Sequence, residues 1–520
     1  MKSFTRKLLS LAIICSMAFV SLGMAAFAGP VNAESKPALS KKAVTLKKGG
    51  STTIRLKNAT KKVVWKSSNS KVVKVVKKKG KYHSTVTVKG LKKGKATITA
   101  KLGKKTYKCR VTVKYTKPKP EKEIEILPLS ESSKNRSAEF TRNPAGNNIA
   151  DEAFCSSVTD FSIDLFRKVS ASETAAGKNG SVLVSPDSVE TALAMLETGA
   201  AGDTLAEMES VLGGGMDREA FCSYLAGMND RLESSKNIIF QQSNSIWSRK
   251  DLMEVSDGFL KRNKDYFDSE FYEAPFNDET VSDINKWVYN NTRNMISKII
   301  DRLSDDDRMV LINTTAFEGK WQVSFESVID GSFTNAEGSK EKASMLNELG
   351  SGNYFTLNGA KCFERKYKGG EISFVGILPP EGTTVDEFVQ GMNGSDFRSA
   401  WISRKAEYVR LTMPEFKYDY GTELETVLQD MGMEKAFSTM ADFSEMGEPS
   451  VMVDRVIHKT HIELDRNGTK AAAATAVIAK ESSIHIESPI EIRMDRPFVY
   501  ALVDTETGIP LFIGSVKTLK

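Results

Sequence analysis

The chain's 520 residues carry 73 Lys plus Arg against 66 Asp plus Glu, and the formal +7 conceals a division. Between Lys36 and Pro120 stand 28 basic residues and no acid, whereas 42 bases and 65 acids from residue 121 onward leave −23, so a strongly basic module is joined to an acidic one. Cysteines are too few and too scattered for a disulfide framework, and after the N-terminal segment no uncharged apolar run is long enough to cross a membrane.

The N-terminus has the pattern of a secretory signal peptide. Lys2, Arg6 and Lys7 precede an apolar stretch over residues 8–27, and Ala26-Phe27-Ala28 and Val31-Asn32-Ala33 offer small-residue cleavage sites. Residues 1–33 are expected to be removed after Ala28 or Ala33, which predicts a secreted, extracellular chain with no transmembrane segment in its mature form. Cys15 follows Ile14 rather than a small residue, so lipid attachment there is not expected. Cys109, Cys155, Cys222 and Cys362 are expected as buried free thiols.

Residues 38–115 read as short strands separated by turns. The segments are 53–56, 63–65, 72–76, 85–88, 96–100 and 107–113. In the last, Tyr107, Cys109, Val111 and Val113 share one face while Lys108, Arg110 and Thr112 share the other, which predicts a small β-sandwich with a lysine surface. Its "L-K-K-G-G", "W-K-S-S-N", "G-L-K-K-G-K-A-T-I-T-A" and "Y-K-C-R-V-T-V" segments resemble bacterial immunoglobulin-like domains of secreted and surface proteins. So much positive charge suits adhesion to an anionic surface such as cell-wall polymer, mucin or lipid headgroups, or else a solvated spacer. Nucleic acid is not expected, because exposed aromatics for base stacking are missing. Residues 116–150 shift to Pro, Glu, Ser and Asn and read as a linker.

Over 151–520, helical and strand patterns alternate without a repeat, which predicts an α+β domain with extensive sheets. Val158, Phe161, Leu165, Phe166 and Val169 mark one amphipathic helix, and Val189, Leu193 and Leu196 mark another after Pro186. Strands are expected over 182–184, 372–378, 408–413, 498–503 and 511–516.

Catalytic patterns are lacking: four histidines, no G-x-S-x-G, no H-E-x-x-H, no C-x-x-C and no phosphate-binding glycine loop. The expectation is a non-enzyme without metal or cofactor. The cluster His458-Lys459-Thr460-His461-Ile462-Glu463-Leu464-Asp465 invites a metal reading. Strand alternation divides it: His458, Thr460, Ile462 and Leu464 point one way, and Lys459, His461, Glu463 and Asp465 the other. A buried His458 and a solvated His461 are expected.

This strand leads into Gly468-Thr469-Lys470-Ala471-Ala472-Ala473-Ala474-Thr475, then Ala476-Val477-Ile478-Ala479-Lys480-Glu481-Ser482-Ser483. A glycine able to hinge is followed by small and then β-branched side chains, the composition of a strand that slides between packed neighbours. The segment is similar to the hinge of the serpins. Residues 151–520 resemble that family throughout, through Val184-Ser185-Pro186-Asp187-Ser188, Leu311-Ile312-Asn313-Thr314-Thr315-Ala316-Phe317-Glu318-Gly319-Lys320-Trp321, Tyr367-Lys368-Gly369-Gly370 and Asp495-Arg496-Pro497-Phe498.

The resemblance implies three β-sheets, surrounding helices and an exposed reactive-centre loop. It also implies suicide inhibition of serine, sometimes cysteine, proteases: the loop is cut and its hinge, with Thr469, Ala471, Ala473 and Thr475 facing inward, inserts into the main sheet. Ser185, Ser188, Asn313 and His458 match the family's shutter and Trp321 its breach. Fourteen residues beyond Gly468, the reactive bond falls at Ser482–Ser483, with Lys480 and Glu481 as alternatives; Ser482 or Ala479 suits an elastase- or subtilisin-like target. Arg466, Asn467 and Lys470 depart from the acids that usually flank the family's hinge glycine. A non-inhibitory serpin cut only as a substrate, or a surface-adhesion protein acting through residues 38–115, would share most of these features.

Overall fold

Between Ala38 and Lys114 the expected strands form, because β-branched residues alternate with Lys and Thr and give each strand one face to bury. The structure, a computed structural model, describes residues 36–47, 50–79, 81–114, 125–144, 150–449, 451–453, 455–469 and 488–520. The chain divides into two units, Met1–Lys117 and Pro118–Lys520.

In the first unit one sheet runs Ala38–Leu39, Ser51–Lys57, Thr85–Gly90, Val73–Lys79, and the other Ala43–Lys47, Lys105–Lys114, Gly94–Leu102, Val64–Ser67. Ile54, Leu56, Trp65, Val86, Ile98, Cys109 and Val111 fill the space between them. Trp65 is accommodated there because its indole N–H donates to the His83 carbonyl at 2.8 Å.

The second unit combines helices with two large sheets. A seven-stranded sheet runs Phe416–Glu423, Ile457–Asp465, Gly468–Thr469, Met309–Lys320, Ile238–Ser248, Glu270–Glu273, Lys134–Asn135. A nine-stranded sheet contains the expected strands Val182–Val184, Ile372–Leu378, Lys405–Pro414, Phe498–Asp504 and Pro510–Val516. Its long strand Lys340–Leu357 pairs with Ser327–Thr334 along its first half and with Ala360–Lys366 at its end, so two sheets are joined through one strand. Helix Glu152–Ala175 is capped by Asp151, which accepts the Phe154 N–H at 2.8 Å. Helix Pro186–Glu197 starts where proline's fixed φ follows the N-cap Ser185. Among the described residues no helix is long and apolar enough to cross a membrane.

One boundary differs from expectation. Part of the expected linker, residues 125–144, belongs to the second unit: Lys134–Asn135 pairs with Glu270–Glu273, and Asn290 binds both the N–H and the carbonyl of Leu127, at 2.8 and 2.9 Å. Polar composition resembled a linker, yet the serines have a distant partner. The buried Asp283 carboxylate accepts from the Ser130 N–H at 3.0 Å and the Ser133 hydroxyl at 2.7 Å.

Candidate functional site

The strand Ile457–Asp465 alternates as expected, with His458, Thr460, Ile462 and Leu464 buried. His458 Nε2 accepts the Ser185 N–H at 3.0 Å, which makes the ring neutral at that nitrogen; burial pushes its pKa down to about 4. Ser185 Oγ donates to the Leu511 carbonyl at 2.9 Å. Ser188 Oγ donates to Asn313 Oδ1, and Asn313 Nδ2 donates to Asn244 Oδ1 at 2.7 Å. Asn244 in turn donates to the Phe267 carbonyl at 2.7 Å. The four residues expected at the shutter therefore lie in two linked hydrogen-bonded groups under the seven-stranded sheet. Asn244 was missed; its only sequence mark is a polar residue at a buried strand position. His461 lies on the opposite face with Nδ1 2.5 Å from Asp419, apart from His458, but its side chain is only 9% exposed rather than solvated as expected. Among the described residues no three His, Cys, Asp or Glu side chains are grouped to hold a metal.

Strands Met309–Lys320 and Ile457–Asp465 run parallel, and among the described residues only Gly468–Thr469 stands between them. Gly468 pairs with Lys320 and Asp465, and Thr469 with Gly319 and Leu464, antiparallel to both. At the other end a cavity of about 650 Å³ lies between the strands, lined by Leu311, Asn313, Ile457 and His458 above Ser188 and Leu193. Among the described residues the sheet is thus laced at one end and parted at the other.

The laced end is densely bonded. Trp321 donates its indole N–H to the Asp465 carbonyl at 3.0 Å and its backbone N–H to Asn467 at 2.9 Å, and it stacks on Tyr367 at 4.5 Å. The Tyr367 hydroxyl lies 2.5 Å from that of Thr469. Gly468 has φ +155°, and a Cβ there would overlap the Gly319 carbonyl, so this position demands glycine. Trp321, which resemblance matches to the family's breach, lies here; Tyr367 was legible only as part of its motif.

A family model described as Serpin (serine protease inhibitor) matches residues 156–518, and one described as Bacterial Ig-like domain (group 2) matches 37–113. The chain belongs to the serpin family. An uncharacterised serpin-like protein of Thermococcus kodakarensis is 30% identical over 372 residues, covering 70% of this chain and 85% of the relative. Intracellular coagulation inhibitor 2 of Tachypleus tridentatus is 29% identical over 374 residues, covering 70% and 90%. The native-state crystal structure of tengpin, a thermophilic serpin, superposes with a TM-score of 0.69 at 33% identity, covering 75% of this chain and all of that one.

In this serpin the departure at Arg466 has its own anchorage. Its guanidinium donates to the carbonyls of Phe325 at 3.0 Å and Glu326 at 3.1 Å, and its backbone N–H donates to Glu415 at 3.2 Å. A cation serves at the hinge root because the groups it meets are carbonyl oxygens and a carboxylate. The remaining hinge residues Lys470, Ala471, Ala472, Ala473, Ala474 and Thr475, and the reactive-bond candidates Lys480, Glu481, Ser482 and Ser483, lie outside the described residues.

Proposed function

We propose that this serpin is a secreted suicide inhibitor of serine proteases, and that the observation carrying this reading is the Gly468–Thr469 pair set antiparallel between two parallel strands. If the hinge inserted in the register of Gly468–Thr469, Ala471 would lie between Phe317 and Ile462, Ala473 between Thr315 and Thr460, and Thr475 between Asn313 and His458. All three would face the core. Ala471 would enter between two large side chains and Ala473 between two threonines, and the one hydroxyl would arrive at the polar gate residues. About a dozen residues gaining ladder bonds at ~0.5–1.5 kcal/mol each would make insertion effectively irreversible.

The target's serine hydroxyl would attack the carbonyl of Ser482, forming an ester as the Ser482–Ser483 amide breaks and the new amine on Ser483 departs with the proton. Insertion would then carry the acylated protease away before water attacks the ester. A small residue before the cut suits an elastase- or subtilisin-like enzyme; Lys480 and Glu481 are alternatives. Incubation with such proteases is expected to give an SDS-resistant covalent complex, with mass spectrometry of the released peptide locating the bond. A broad panel yielding only cleaved chain would establish a substrate instead.

A second reading concerns the first unit. Lys66, Lys95, Lys101, Lys108, Arg110 and Lys114 are exposed on the outer face of one sheet, interleaved with threonines and with no acid anywhere in 36–114. This face suits a phosphate-bearing cell-surface polymer, which would hold the inhibitor at the wall. Full-length chain should bind poly(glycerol phosphate) with an affinity that falls steeply with salt and is weakened in Lys108→Glu/Arg110→Glu; salt-independent binding would remove the electrostatic account.

A further inference from the structure

A short segment, 321–326, crosses from the strand Met309–Lys320 of the seven-stranded sheet to the strand Ser327–Thr334 of the nine-stranded one. Its first two N–H groups donate to backbone carbonyls, Trp321 to Asn467 at 2.9 Å and Gln322 to Lys366 at 3.0 Å. Two arginines grip the rest. Arg365, in the strand Ala360–Lys366, sets its guanidinium 3.8 Å from the centre of the Phe325 ring and 5.4 Å from that of Trp321. It also donates to the Val323 carbonyl and pairs with Glu348 on the long strand Lys340–Leu357. Arg466, at the hinge root, takes the carbonyls of Phe325 and Glu326. Phe325 is therefore held through its ring by one arginine and through its carbonyl by the other.

Stability alone does not account for Arg365. Its side chain is 10% exposed and that of Glu348 16%, and its Nε is buried with no partner among the described residues. An ion pair taken this far out of water returns little over an apolar pair of the same size. A planar guanidinium can, however, stack on a ring while donating to a carbonyl and a carboxylate, which neither an apolar side chain nor a lysine can do. We infer that Arg365 is a positioning residue for the hinge: by fixing Val323 and Phe325 it holds the segment to which Trp321 and Arg466 fasten residues 465–469. With 321–326 fixed, the root of the hinge is kept in one register between its two neighbouring strands. The consequence for inhibition rests on the suicide reading, whereas the clamp itself is a property of the uncut chain.

The test compares full-length Arg365→Met/Glu348→Gln and Arg365→Lys with the wild type. Three quantities are read: melting temperature, amide hydrogen exchange over residues 465–469 of the uncut chain, and chains consumed per subtilisin or elastase inactivated. The neutral pair removes both charges together, so its melting temperature should stay within about 3 °C of the wild type. Exchange at 465–469 should nevertheless quicken about three- to ten-fold, the worth of one hydrogen bond, and consumption should rise by a similar factor. Arg365→Lys keeps the charge but loses the planar fork, and should quicken exchange there as well. Unchanged exchange in the neutral pair overturns the clamp, and a lysine variant that exchanges like the wild type overturns it too, leaving charge pairing alone. Faster exchange throughout the second unit with a lowered melting temperature marks a merely structural pair and also overturns it. A wild type that both proteases only cut overturns the suicide reading and the effect on inhibition, while exchange over 465–469 still decides the clamp.

Discussion

Tyr367 and Thr469 join buried hydroxyls at 2.5 Å across 102 residues of sequence, and this bond fastens the second hinge residue into the sheet. Tyr367 is itself fixed by stacking on Trp321 at 4.5 Å, so an aromatic pair holds the hinge root.

Tyr367→Phe leaves the Thr469 hydroxyl buried without this partner and should cost about 1–3 kcal/mol, read as a lower melting temperature of the uncut chain. Thr469→Arg should do more. It drives a bulky cation against Tyr367, and the variant is expected to be cut as a substrate without trapping protease. Because Thr469 is already seated in the uncut chain, a melting curve must accompany the inhibition assay. Unchanged inhibition by Thr469→Arg would sink the insertion mechanism.

Asn313 links Ser188 to Asn244 at the parted end of the sheet. Asn313→Ala removes the acceptor of the Ser188 hydroxyl and the donor to Asn244 Oδ1, at a cost of about 1–3 kcal/mol in a folded chain. The expected result is faster loss of inhibitory activity on warming than in the wild type, measured as residual complex formation after incubation.

Stability should fall as pH rises from about 4.5 to about 8, the window between the unfolded and folded pKa values of two buried carboxyls. Burial raises the carboxyl of Asp187 to about 7 and that of Glu197 to about 8, the latter also pushed up by Glu209. Both are protonated in the folded chain where the unfolded chain has released the proton, so their contribution is complete at low pH and is lost as pH rises through 7 to 8. His458 acts in the opposite sense. Its pKa, lowered to about 4, means that the unfolded chain binds the extra proton between 4 and 6.5, and stability from this group grows with pH over that window. Glu197→Gln should flatten the fall between about pH 4.5 and 8, an effect on the order of a few kcal/mol over that window. His458→Gln should steepen the decline between pH 4 and 6.5. Urea unfolding at stepped pH measures both.

Arg466 donates to two carbonyls that no shorter side chain would reach. Arg466→Ala should cost about 1–3 kcal/mol and loosen the hinge root, whereas Arg466→Glu should cost more because it adds a carboxylate near Glu415. Melting temperature gives the first effect. The number of chains consumed per protease inactivated gives the second, and equality of Ala and Glu variants would exclude charge as the reason.

Much of this architecture was legible from local pattern. Alternation separated His458 from His461, because period-two burial is a local property of the chain. The error over 125–144 has the same origin: serines look like linker until Asp283 is brought to them from about 150 residues away. Asn244 and Tyr367 escaped for that reason as well, since a polar strand residue gives no local sign of its partner.

The sequence by itself determined the two modules, the opposite charges they carry, the period of each strand and the chemistry of the hinge. Tertiary structure alone decided the register. Only pairing of Thr469 with Gly319 and Leu464 turns its hydroxyl inward to Tyr367, because a shift of one residue would turn it to the other face of the sheet.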